Sequence, residues 1–180
     1  MKTFGMLAAL LLVTAGCGRP TPVTAAKKPA AVTPAASQDQ VDAAVALRFF
    51  TDGYDQGKLE TADQIVAPAQ VHHDPAVGDL PVGPAGIKGL WTAVRTGFPD
   101  IHYEVTNTIV DHENVLVQWR ATGTQQGVLF GIPASNKAIA ITGMHRFRMG
   151  GHVIQESWAN WDALGLFKQI GMTLAPATAK

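Results

Sequence analysis

The sequence predicts an α+β domain: a cone-like, curved antiparallel sheet of about four strands, covered on one face by three N-terminal helices and closed by a short C-terminal helix. Three observations carry this expectation. Apolar residues recur at helical spacing between positions 38 and 98, and the period switches to two from Ile101 onward. The paired glycines Gly150-Gly151, lying between two alternating runs, then mark a two-residue hairpin.

Ahead of that domain lies a different kind of chain. Met1-Lys2 is followed by a largely apolar run ending in Thr14-Ala15-Gly16-Cys17, with the charged start, apolar middle and small residues of a secretory signal. The run is too short to span a bilayer. Its end resembles a bacterial lipoprotein signal, which implies cleavage after residue 16 and lipid on Cys17. Residues 17–37, rich in Pro, Ala and Thr, read as an extended tether, so the expected address is exported, membrane-anchored and facing the periplasm. Cys17 is the only cysteine, which excludes intrachain disulfides, CxxC redox pairs and multi-thiolate zinc sites.

The folded domain is expected over 38–174, with a disordered tail at 175–180. Its 47% hydrophobic share within 180 residues supports one ordinary core. Equal numbers of basic and acidic residues, 14 each, and no basic run argue against nucleic-acid binding, which needs clustered Lys and Arg to neutralise phosphates. No Gly-x-Ser-x-Gly elbow, P-loop or dinucleotide fingerprint is present, so hydrolase, nucleotide and hydride-transfer chemistries lack their required parts.

Ser37 to Gln40 has capping-box spacing, and Ala43, Ala46, Leu47, Phe50 and Tyr54 form one helical stripe ending at Gly57. A second short helix spans Leu59 to Ile65. The segment Val71-His72-His73-Asp74-Pro75 is too turn-rich for helix, and adjacent histidines in an extended chain point oppositely, so no metal site is expected there. One of the two can face inward, with Asp74 either orienting it or serving the turn before Pro75. Gly83-Pro84 opens a third helix whose stripe is Ile87, Leu90, Trp91, Val94 and Phe98, stopped by Pro99.

Two alternating strands follow, through Ile101 to Ile109 and Val115 to Ala121, and burying both apolar faces together sets Asn107 near Trp119 on the inner surface. Glycines between 123 and 131 suggest a bulge and a bend. In the last hairpin, a Gly150-Gly151 turn pairs Phe147 with Ile154, His145 with Glu156 and Gly143 with Trp158. Glu156 and Trp158 then share the inner face with His145 and Phe147, and Asp162 joins them if the strand persists. Arg146, Arg148, Gln155 and Ser157 fall on the outer face.

Several segments in order resemble the SnoaL-like polyketide and ester cyclases of the nuclear transport factor 2-like fold. They are His73-Asp74-Pro75, Gly83-Pro84 with Gly89 and Trp91, Phe98-Pro99-Asp100, Val117-Gln118-Trp119-Arg120 with Gly123-Thr124, the run 127–133, Phe147-Arg148, and Glu156-Ser157-Trp158 through Asp162 to Gln169-Ile170-Gly171. The resemblance implies a homodimeric domain with a hydrophobic cavity, and a cofactor-free intramolecular aldol closure assisted by one aspartate, whose position Asp162 matches best.

Site residues expected from pattern and resemblance together are Asp162 as proton carrier with His145 and Glu156 in support, and His73, Asn107, Trp119, Phe147 and Trp158 around the ligand. The expected function is a cofactor-independent cyclase or isomerase acting on a small hydrophobic carbonyl compound. The alternative is a non-catalytic periplasm-facing lipoprotein that binds such a ligand.

Overall fold

A computed structural model describes residues 36–173. The expected signal, the lipidated Cys17, most of the tether and the tail lie outside the described residues.

The first helix, α1 (Gln38–Arg48), opens on a capping box: the Ser37 hydroxyl accepts from the Gln40 amide, and the Gln40 side chain accepts from the Ser37 amide. It does not continue as α-helix to Gly57. Residues Phe49–Asp55 widen into a π-helical turn that buries Phe49, Phe50, Gly53 and Tyr54. Gly53 is required there, because a Cβ would collide with the Trp91 indole. A short α2 (Thr61–Ile65) leads into β1 (Val66–His73), and α3 (Pro84–Gly97) has proline in its first turn and buries Ile87, Leu90 and Trp91.

The sheet adds β2 (His102–Asp111), β3 (Asn114–Thr124), β4 (Ala138–Gly150) and β5 (Val153–Trp161), and α4 (Ala163–Ile170) closes the fold. Its order is β1-β5-β4-β3-β2, five strands rather than about four. The extra one is β1, an edge strand that pairs in parallel with β5. Parallel pairing needs no hairpin, so no turn in the sequence announces it.

Two one-residue bulges decide which side chains face inward. In β2 the register shifts between Val105 and Asn107, so Val105 still pairs with Trp119 while Asn107 pairs with Gln118. In the last hairpin the turn is Gly151-His152, both at positive φ (59° and 62°), and not Gly150-Gly151. Beyond Met149↔Ile154 the register slips at Gln155, giving Arg148↔Glu156, Phe147↔Ser157, Arg146↔Trp158, His145↔Ala159 and Gly143↔Trp161. Because the pleat has a period of two, one inserted residue sends every following side chain to the opposite face. Ser157 and Ala159 are therefore buried, and Glu156 and Trp158 move outside.

The core lies between the inner sheet face and the helices. Phe49, Phe50 and Trp91 are among its largest fully buried side chains, and Phe49 meets Trp91 edge to face at 5.2 Å.

Candidate active site

Between the helices and the sheet lies a cavity of about 520 Å³ of empty space, its open mouth included. Its wall is mostly apolar: Val77, Leu90, Phe98, Ile141, Leu129 and Leu166 are among the lining residues. The polar groups on it are few, namely Tyr54, Asp74, Tyr103 and His145, with the indoles of Trp119 and Trp161 beside them. An apolar cleft with a handful of placed polar groups is the usual form of a small-molecule site.

Each polar residue is brought there by a separate element. The π-helical turn delivers Tyr54, which stacks on Tyr103 of β2 at 4.5 Å. Asp74 follows β1 directly; its Oδ1 accepts from the Ala76 amide at 2.9 Å and its Oδ2 from the Trp161 indole at 3.0 Å. Burial pushes both phenols up, Tyr54 well above its ordinary value, and the Asp74 carboxylate adds to the rise in each. Both tyrosines therefore stay protonated donors across the physiological range.

His145 stands in the middle of β4, 3% exposed, with its Nδ1 accepting from the Trp119 indole at 2.9 Å. Burial and the neighbouring His72 push its pKa down to about 3, so the ring is neutral. His72, buried beside it with ring centroids 6.0 Å apart, is also pushed down by burial. A buried chain runs from the Gln70 amide to Ser157 Oγ at 2.8 Å and from there to His72 Nδ1 at 2.7 Å.

Of the residues expected from sequence, the cavity gathers His145 and Trp119. Phe147 is fully buried against Phe49 but belongs to the core rather than the cavity wall. Glu156, Trp158, His73 and Asn107 are corrections. The Gln155 bulge places Glu156 and Trp158 on the outer face, where Glu156 meets His73 at 2.9 Å and Arg148 at 2.9 Å. Trp158 is there covered by the Arg146 guanidinium, 3.8 Å from the ring centre, and stacks on His73. His73 is outside because β1 alternation turns its neighbour His72 inward. Asn107 is exposed beyond the Thr106 bulge and reaches Gln118.

Asp162, like Phe147, is a further correction. It is exposed and sits outside the cavity wall, capping α4 by accepting from the Gly165 amide at 2.7 Å. Asp162, His145 and Glu156 are thus not brought together. The carboxylate that does share a cavity with His145 is Asp74: once 71–73 is extended, alternation puts residues 72 and 74 on one side, and the pairing of β1 with β5 makes that side the inner one. Tyr54 and Tyr103 had only the pattern of ordinary core positions. Among the described residues, no group of three His, Cys, Asp or Glu side chains is placed to hold a metal.

Residues 44–170 match the SnoaL-like polyketide cyclase family. No curated protein matches the chain. A candidate SnoaL-like polyketide cyclase from Jannaschia superposes with a TM-score of 0.68 at 21% identity, covering 79% of this chain and 100% of its own. The protein TsrD from Streptomyces laurentii gives 0.67 at 21%, covering 75% and 98%. At these identities the likeness is one of fold. A candidate polyketide cyclase from Bacillus cereus gives 0.64 at 27% identity, covering 77% of this chain and 87% of its own.

Proposed function

Because the chain belongs to the SnoaL-like polyketide cyclase family, we propose that its cavity carries out cofactor-free acid/base chemistry, an intramolecular aldol cyclisation or an isomerisation, on a small apolar carbonyl compound. The observation that carries this reading is Asp74. It is the one carboxylate among the lining residues, and it faces a wall whose other polar side chains, Tyr54, Tyr103 and His145, are neutral.

In the proposed reaction Asp74 takes a proton from the carbon next to a carbonyl, and the electron pair moves onto the carbonyl oxygen as an enolate. Neutral donors on the wall stabilise that oxygen without themselves ionising. For cyclisation the enolate carbon attacks a second carbonyl of the same molecule, and protonated Asp74 returns the proton to the new alkoxide. No oxidant or metal enters the balance. A positioned acid/base group of this kind contributes about 10² to 10⁴ in rate.

The test does not need the natural substrate. Proton NMR in D₂O follows exchange at the acidic carbon positions of cyclic ketones such as 2-tetralone. The protein should accelerate exchange of at least one ketone in a panel, and Asp74→Asn should lower that rate by about a hundredfold or more. Asparagine keeps the acceptor for the Ala76 amide but sets an N–H against the Trp161 indole N–H, so the variant's fold is checked by its circular dichroism and melting temperature beside the rate. Exchange no faster than buffer across the panel, or an unaffected variant, would overturn the assignment.

One observation favours the second reading, a binder without catalysis: both Asp74 oxygens already accept hydrogen bonds, as a turn residue's would. That reading gives ligand binding without exchange. Association as a homodimer and attachment through Cys17 complete the proposal. Both follow from family and signal resemblance, and native mass spectrometry of the purified protein tests the first.

A further inference from the structure

Among the described residues, three buried side-chain nitrogens have no hydrogen-bond partner: Nε2 of His72, Nε1 of Trp91 and Nε2 of His145. Only His145 lines the cavity. An indole nitrogen can donate and never accept, so the 2.9 Å contact from Trp119 requires His145 Nδ1 to be the acceptor. A neutral imidazole with a lone pair at Nδ1 carries its proton at Nε2. That N–H is a donor inside the protein with nothing to donate to, and native structures rarely leave such a group unpaired.

The ring cannot turn away to escape this. It is stacked on Phe147 at 5.6 Å and meets the edge of Phe50 at 5.2 Å and 89°. Opposite it on β5 is Ala159, fully buried and too small to supply a polar partner.

We propose that His145, locked by the Trp119 indole as the Nε2-protonated tautomer, is the specificity-determining donor that reads an acceptor oxygen of the ligand. The inference rests on the cavity being the ligand site. It goes beyond that reading by assigning His145 as a donor only, never the base, and Trp119 as the positioning residue that makes it so. Ligands presenting a carbonyl, enolate or ether oxygen are complementary. Hydrocarbons of the same shape leave the N–H unpaired, and molecules whose buried polar group is itself a donor are opposed by it.

Two measurements on the full chain decide it. Two-bond ¹H–¹⁵N spectra of the ¹⁵N-labelled protein should show the His145 ring, told from the buried His72 by its absence in His145→Phe, with protonated Nε2 and bare Nδ1 between pH 5 and 8, and Trp119→Phe should let its Nδ1-protonated form appear. A His145 ring protonated at Nδ1, or charged at pH 6, overturns the proposal. So does a Trp119→Phe protein that keeps the pure Nε2–H form. Second, 2-tetralone should bind at least about tenfold more tightly than tetralin, the hydrocarbon of the same skeleton, and His145→Phe should erase the difference. Equal binding of the pair to the unaltered protein sinks the inference but leaves the Asp74 exchange result standing, so the two failures are distinguishable. Should either variant not fold, the tautomer and the ligand pair in the unaltered protein still support or overturn the assignment.

Discussion

Acidification from pH 6.5 to 5.0 should cost the folded state about 2 kcal/mol through His145 alone. Burial holds this ring's pKa down at about 3, whereas in the unfolded chain it returns to 6.5. Between those values the unfolded chain binds a proton that the folded protein refuses. The stabilisation is therefore fully present above pH 6.5 and is lost as pH falls toward 3, at about 1.4 kcal/mol per pH unit. His72, also pushed down by burial, adds in the same direction. Exposed His112, raised by Asp111, acts in the opposite sense but is screened by solvent. Glu156 and Asp100 are held low, so what they contribute is lost only at lower pH, as each carboxylate protonates. Urea unfolding followed by tryptophan emission at pH 5.0, 6.5 and 8.0 measures the slope. His145→Phe should be less stable at pH 8.0, since the Trp119 N–H loses its acceptor, but its dependence on pH should be shallower, so the gap to the unaltered protein narrows by about 2 kcal/mol at pH 5.0. Flat stability over this range, or an unchanged slope in the variant, would refute the reasoning.

Other substitutions test the framework around the cavity. Gly143→Ala places a Cβ against the Trp119 ring and the Trp161 Cβ, and this overpacking should cost about 1–3 kcal/mol in chemical denaturation. Asp162→Ala should cost about 1 kcal/mol, the usual worth of a helix cap, and Asp162→Asn much less. Neither Asp162 variant should change ketone exchange, and a hundredfold loss in Asp162→Asn would restore that residue as the proton carrier. Cys17→Ser should release the protein from membranes, read by fractionation after a carbonate wash; retention of the variant would remove the lipid anchor.

What the sequence determined by itself is what neighbouring residues decide among themselves. The Ser37 capping box, Pro84 at the start of α3, the helical stripe through Trp91 and the alternation of β2 to β5 are set by spacings of a few residues, and together they were enough for the fold class. His145 and Trp119 were legible for the same reason: both lie on regular stretches of the antiparallel β3–β4 pair, where Trp119 meets Gly143 and Val117 meets His145 without a slip. Tertiary structure alone decided the rest. Whether β2 bulges at Thr106 and β5 at Gln155 depends on how each strand must bend to follow its neighbour, and no local pattern carries that information. Each single insertion reversed the faces beyond it, taking Asn107, Glu156 and Trp158 out of the interior. The parallel seating of β1 against β5 joins residues more than 80 positions apart, as in His73↔Trp158, and it is this contact that turns His72 inward and brings Asp74 to Trp161. A strand's pleat is local, but its register is a property of two strands, and the carboxylate of this cavity is placed by register.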